Sequence, residues 1–160
     1  MKYTTRMTSF LLLVLAIVLC ELAGALGAVF TRSAIPTWYR TLSKPKLNPP
    51  SWVFGPVWTT LYALMGVSVW LIWKSAPLSN IALCIFALQL ALNAAWSYIF
   101  FGMKRVGLAL VDIVLLWLSI VLTIVVFIPI SALATWLLAP YLVWVSFASY
   151  LNYSIWKLNR

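Results

Sequence analysis

The sequence predicts an all-α integral membrane protein, a bundle of five transmembrane helices forming a single membrane domain over residues 1–160. Apolar residues make up 65% of the chain and charged residues 8%, against roughly 45–50% and 25% in soluble domains. Two acids and eleven bases are too few to clothe a water-soluble fold, whose surface is where charged residues belong. The apolar runs are also continuous rather than alternating. That pattern fits helices, which satisfy their own backbone in lipid, and not the strands of a barrel.

Stretches able to cross ~30 Å of hydrocarbon at 1.5 Å per residue run approximately over 8–30, 52–73, 79–101, 107–128 and 132–156. The first follows Lys2 and Arg6 and contains Ala23-Gly24-Ala25, features that also mark secretory signals. Its length favours a retained helix, as does the N-in orientation of a signal, which conflicts with the charge count below. Ile17-Val18-Leu19-Cys20 also lacks the small residue that a lipoprotein signal places before its cysteine. The segment 31–51, with prolines from Pro36 to Pro50, is expected to be a long loop lidding a cavity. The second span begins beside Gly55-Pro56 and ends at the Lys74–Pro77 gap. The third runs to the Gly102–Gly107 gap, the fourth to the tight Pro129-Ile130-Ser131, and the fifth almost to the end.

Five spans put the termini on opposite sides. Lys2, Arg6 and Lys74 share the N-terminal side, while Arg32, Arg40, Lys44, Lys46, Lys104, Arg105, Lys157 and Arg160 share the other. The positive-inside rule then makes the C-terminus and first loop cytoplasmic. The formal charge of +9 reads as this orientation signal, scattered around the spans, and no nucleic-acid partner is expected. The short tails suggest a bacterial cell membrane.

The chain has no His, which removes His-ligated haem, His-containing zinc sites, Ser-His-Asp triads and Cys-His dyads. Cys20 and Cys84 lie in apolar runs and read as small hydrophobes. No metal or cofactor is expected. Glu21 sits near the middle of the first span, where an ionised carboxylate costs ~2.5–3.5 kcal/mol on insertion scales. It reads either as a proton-coupled or cation-binding group or as a neutral acid bonded to a neighbouring helix. Asp112, just inside the fourth span near Lys104 and Arg105, reads as an interface-level acid.

Gln89, Asn93, Trp96, Ser97 and Phe100 share one face of the third span. Tyr141, Trp144, Ala148 and Asn152 share one face of the fifth, and Trp58 and Tyr62 one face of the second. Tryptophan beside polar or small residues on three helices suggests a cavity for a flat, largely apolar ligand; dense aromatic packing and interhelical hydrogen bonding are the alternative. Of ten tryptophans, Trp38, Trp52, Trp73, Trp136 and Trp156 fall at span ends, where an interfacial belt explains them. Trp58, Trp70, Trp96, Trp117 and Trp144 are deep. Small residues recur every four positions at Ala16, Cys20, Gly24 and Ala28 and at Ala87, Ala91 and Ala95, which allows close helix packing inside one bundle or between two copies.

Several segments together resemble one family. They are Trp38-Tyr39 with Leu42, Lys44-Pro45 and Pro49-Pro50; Trp52-Val53-Phe54-Gly55-Pro56-Val57-Trp58; Leu61-Tyr62 with Met65-Gly66; Ala91-Leu92-Asn93 with Trp96 and Phe100-Phe101-Gly102; Ala109-Leu110-Val111-Asp112; and Pro140-Tyr141-Leu142 with Trp144, Phe147-Ala148 and Leu151-Asn152-Tyr153. The sequence is similar in these to the TspO/MBR family of tryptophan-rich sensory or translocator proteins, the peripheral benzodiazepine receptors. The resemblance implies a five-helix bundle, commonly a homodimer, with a cavity that opens toward the first loop. It implies binding of porphyrins and other tetrapyrroles and of isoquinoline or benzodiazepine-type ligands, with a role in porphyrin handling or stress signalling. Carried over by motif, the ligand-binding residues are Tyr39, Pro49, Trp58, Asn93, Trp96, Trp144 and Ala148. Trp58 and Trp144 also match the tryptophans of members reported to promote light-dependent porphyrin breakdown, although the residues alone do not make this chain an enzyme. The family's sterol consensus falls at Leu151-Asn152-Tyr153 to Lys157, but Leu92 to Lys104 satisfies it too, so it carries little information. Glu21 lies outside these motifs. It leaves open a different function, a proton-coupled exporter of lipophilic cations, beside the third possibility of photo-oxidative catalysis.

Overall fold

The computed structural model describes residues 2–75 and 80–160, with side chains described over 7–75 and 81–160. The Pro77 end of the second gap and residue 79 of the third expected span lie outside the described residues, as do the side chains of Lys2 and Arg6 in the charge count. Among the described residues there are five long α-helices and no strand: α1 Lys2–Ala34, α2 Phe54–Ser75, α3 Asn80–Ser97, α4 Val106–Phe127 and α5 Ala132–Leu158. All five are long and apolar enough to cross a membrane.

Contacts order the helices around the bundle as α1, α2, α5, α4, α3 and back to α1, with α2 and α3 meeting weakly across the ring. Met65, Ile72, Phe127 and Val145 at the centre have no exposed surface. In lipid such burial carries little hydrophobic driving force, so close packing and interhelical hydrogen bonds hold the bundle. At Gly66 a Cβ would lie 2.5 Å from the Ile17 Cα; α1 therefore crosses α2 in contact with its backbone. Ser68 donates to the Ala134 carbonyl at 2.8 Å and ties α2 to α5.

One helix runs past its expected end, and two finish in π-helical turns. Residues 31–51 are not loop throughout, because α1 runs on to Ala34 and continues through a π-helical turn, Ile35–Tyr39. Pro36 supplies the reason: it lacks the N–H that would close the regular ladder, and the turn widens around it. Thr37 Oγ1 donates to the Ser33 carbonyl at 2.8 Å, satisfying an acceptor in the disrupted stretch. A second π-helical turn, Tyr98–Gly102, finishes α3. The two lie side by side, with Tyr39 5.6 Å from Phe101 and Trp38 5.7 Å from Phe100 between ring centroids. Both mark the bundle end that holds the first loop. At the other end, α5 starts after a tight turn, where Ser131 caps it by accepting from the Ala134 N–H at 3.3 Å.

Candidate functional site

A cavity of about 470 Å³ occupies the half of the bundle next to the first loop, within the ~300–1,000 Å³ of ordinary ligand pockets. From α1 it takes Glu21, Gly24, Ala25, Gly27, Ala28, Thr31 and Arg32, and from the turn beyond it Ile35 and Tyr39. Ser51 and the start of α2 add Phe54, Gly55, Trp58, Thr59 and Tyr62. Trp96, Ser97 and Phe101 come from α3 and its terminal turn, and Trp144 and Ala148 from α5. None of these residues belongs to α4.

Trp58 organises the wall. It stacks on Tyr62 with centroids 5.5 Å apart and planes at 28°, and meets Trp144 edge-on at 6.5 Å. Phe54 adds an edge contact to Trp144 at 6.1 Å. Edge-to-face and offset-stacked contacts of this kind fix ring orientation as well as area. Behind the aromatic surface runs an oriented chain of buried hydrogen bonds. Tyr62 donates to Asn93 Oδ1 at 2.6 Å, Asn93 Nδ2 to Tyr141 Oη at 2.7 Å, and Tyr141 to Gln89 Oε1 at 2.9 Å. Trp96 Nε1 donates to Asn152 Oδ1 at 2.9 Å, and Asn152 Nδ2 donates to the Val106 carbonyl at the same distance. The Trp144 indole N–H is buried with no acceptor among the described residues.

A second hollow of about 460 Å³ adjoins the mouth, sharing Ile35, Tyr39 and Ser51 with the cavity and adding Arg40, Lys44, Asn48, Pro49 and Pro50. Tyr39 donates to Asn48 Oδ1 at 2.8 Å. Lys44 Nζ lies 4.7 Å from the Tyr39 ring centroid and donates to the Leu42 carbonyl at 2.9 Å; loss of water there holds its ammonium below the usual lysine range. The C-terminal end secures this loop, since Asn159 exchanges two 2.9 Å hydrogen bonds with the Ser43 backbone.

Of the residues expected to bind ligand, Tyr39, Trp58, Trp96, Trp144 and Ala148 line the main cavity. Pro49 lines the adjoining hollow. Asn93, 2% exposed, stands behind Tyr62 rather than on the cavity surface. The helix stripes thus divide by depth: Gln89, Asn93, Tyr141 and Asn152 join helices, while Trp96, Ser97, Trp144 and Ala148 face the space. Among the deep tryptophans, Trp70 instead donates to the Ser9 carbonyl at 3.0 Å and Trp117 to Ser146 at 2.8 Å. Sequence reasoning drew walls from three helices and missed α1. The available signal was the small-residue series at Cys20, Gly24 and Ala28, which packs against Tyr62 at Gly24 and leaves room for the cavity at Ala28.

Comparison with known proteins agrees with this architecture. The model of the TspO/MBR family matches residues 16–157. The Tryptophan-rich protein TspO of Chlorobaculum tepidum is 48% identical over 153 residues, covering 93% of this chain and 96% of that protein. Protein CrtK of Rhodobacter capsulatus is 41% identical over 89% of each chain. The Translocator protein of Bos taurus is 41% identical, covering 88% of this chain and 85% of its own. With the match running from α1 to the last turn of α5, the chain belongs to the TspO/MBR family of multi-pass membrane proteins.

Proposed function

We propose that this protein is a membrane receptor or transporter-like protein that binds porphyrins and other tetrapyrroles in the cavity between α1, α2, α3 and α5. One observation carries the reading: Trp58, Trp96 and Trp144, from three helices, line a single space of about 470 Å³. A flat ring slides between indole faces at little conformational cost, because these side chains are already fixed by ring contacts and by the Trp96–Asn152 bond. The apolar body then lies among aromatic faces, while acidic groups on its edge meet Arg32 at the wall and Arg40 and Lys44 in the adjoining hollow. Tyr39 and Pro49 contribute to the lid over this mouth. The first loop and C-terminus face the cytoplasm by the charge count.

We place a homodimer contact on α3, where Ala87 and Ala91 are exposed, whereas Cys20 of the α1 series is buried inside the bundle. Saturable quenching of intrinsic tryptophan fluorescence by protoporphyrin tests the binding. Ala148→Leu, which fills the cavity, and Trp144→Phe weaken it; unchanged affinity in both variants removes the assigned site. The adjacency of Trp58 and Trp144 favours a second reading, light-dependent breakdown of the bound ring. That activity requires light- and oxygen-dependent loss of protoporphyrin that Trp58→Phe abolishes, and equal loss without protein excludes it.

A further inference from the structure

Glu21 is one of only two acids in the chain. It lies on the cavity wall and makes no hydrogen bond or ion pair with any described side chain. The other acid, Asp112, is on α4, which contributes nothing to this cavity. Arg32 lines the same space but stands eleven residues further along α1, about 16 Å at 1.5 Å per residue, too far for a pair. The carboxylate therefore has no cationic partner among the described residues. One turn above it, Gly24 lies against the Tyr62 ring, and Tyr62 stacks on Trp58. Tyr62 is 5% exposed and backs Trp58 by this stacking, so Trp58 supplies the ring surface that shares the cavity with Glu21; an aromatic face attracts a cation through its quadrupole, and more strongly away from water.

We propose that Glu21 with the Trp58–Tyr62 stack forms a subsite for organic cations, so that the cavity accepts planar aromatic ligands bearing a positively charged nitrogen. An unpaired membrane carboxylate on an interior cavity marks a functional position by its cost alone. A metal ion fits it poorly, since hard cations demand several oxygen ligands and no group of three His, Cys, Asp or Glu side chains occurs among the described residues. A flat cation fits on each count, because its charge neutralises the carboxylate while its ring lies on the indole face. The subsite depends on the cavity and not on the identity of any tetrapyrrole.

The test uses the full chain in nanodiscs of uncharged lipid, titrated with N-methylacridinium, which carries a fixed charge, and with acridine, the uncharged ring of nearly the same shape. Wild type binds the cation about tenfold more tightly than the neutral ring, about 1.4 kcal/mol. Glu21→Gln brings the ratio of the two affinities to about one, and Glu21→Asp restores a preference for the cation. Acridine binding by each variant reports that its cavity is folded. Ala28→Leu, which narrows the space, weakens both probes. Equal binding of the two probes to wild type, a cation preference that survives Glu21→Gln, or cation binding indifferent to Ala28→Leu overturns the proposal. Wild type that binds N-methylacridinium but not protoporphyrin supports this subsite and defeats the tetrapyrrole reading instead.

Discussion

Replacing Asn93 by leucine tests how the cavity wall is held. Asn93 accepts from Tyr62 at 2.6 Å and donates to Tyr141 at 2.7 Å, and all three side chains are at most 5% exposed. Leucine strands the Tyr62 hydroxyl without an acceptor, at about 1–3 kcal/mol for a buried unsatisfied donor. Tyr141 still donates to Gln89, so on that side only one accepted bond is lost, about 0.6 kcal/mol in a bilayer. Asn93→Leu should therefore destabilise the bundle by about 1.5–3.5 kcal/mol in reversible unfolding from mixed micelles titrated with SDS. Adding Tyr62→Phe removes the stranded hydroxyl, and the double variant should recover about 1 kcal/mol relative to the sum of the single changes. Because Tyr62 also supports Trp58 by stacking, protoporphyrin affinity should fall about fivefold, or about 1 kcal/mol. A cost under about 0.5 kcal/mol, or strict additivity of the two changes, would refute the claim that this chain of hydrogen bonds sets the wall.

At the α1–α2 crossing, Gly66→Val drives a side chain into the Ile17 backbone and should cost about 1–3 kcal/mol as overpacking; an unchanged unfolding midpoint contradicts the close approach. Trp144→Phe removes an indole N–H that has no acceptor among the described residues, so its stability cost should stay within about 1 kcal/mol while ligand affinity drops. A large loss of stability would show that the N–H is bonded. For the dimer, Ala91→Trp on the exposed face of α3 should shift the protein to monomers in analytical ultracentrifugation, and an unchanged mass moves the contact elsewhere.

Five helices were legible because continuous apolar runs separated by Pro, Gly and charge have no other stable form in lipid. The three cavity tryptophans were legible too, since helical spacing put each beside small or polar neighbours. Three features were not. The depth at which a stripe changes from bonding a neighbour to facing a space depends on how far apart the helices stand, so Asn93 and Trp96, adjacent on one face of α3, serve different purposes. The continuation of α1 past Pro36 depends on a widened turn that proline ordinarily argues against. The wall supplied by α1 came from absence: Gly24, Gly27 and Ala28 shape the cavity by being small, and small residues in a membrane helix read equally as packing. Glu21 stood out in the sequence for its cost, and only the fold puts it on the same cavity as the tryptophans.

The most direct measurement is the structure of the protein with protoporphyrin bound in a lipid environment. The ring is predicted to lie among Trp58, Trp96 and Trp144 with its acidic edge toward Arg32 and the first loop. A ring bound on the outer, lipid-facing surface, with that space left unchanged, would contradict the account.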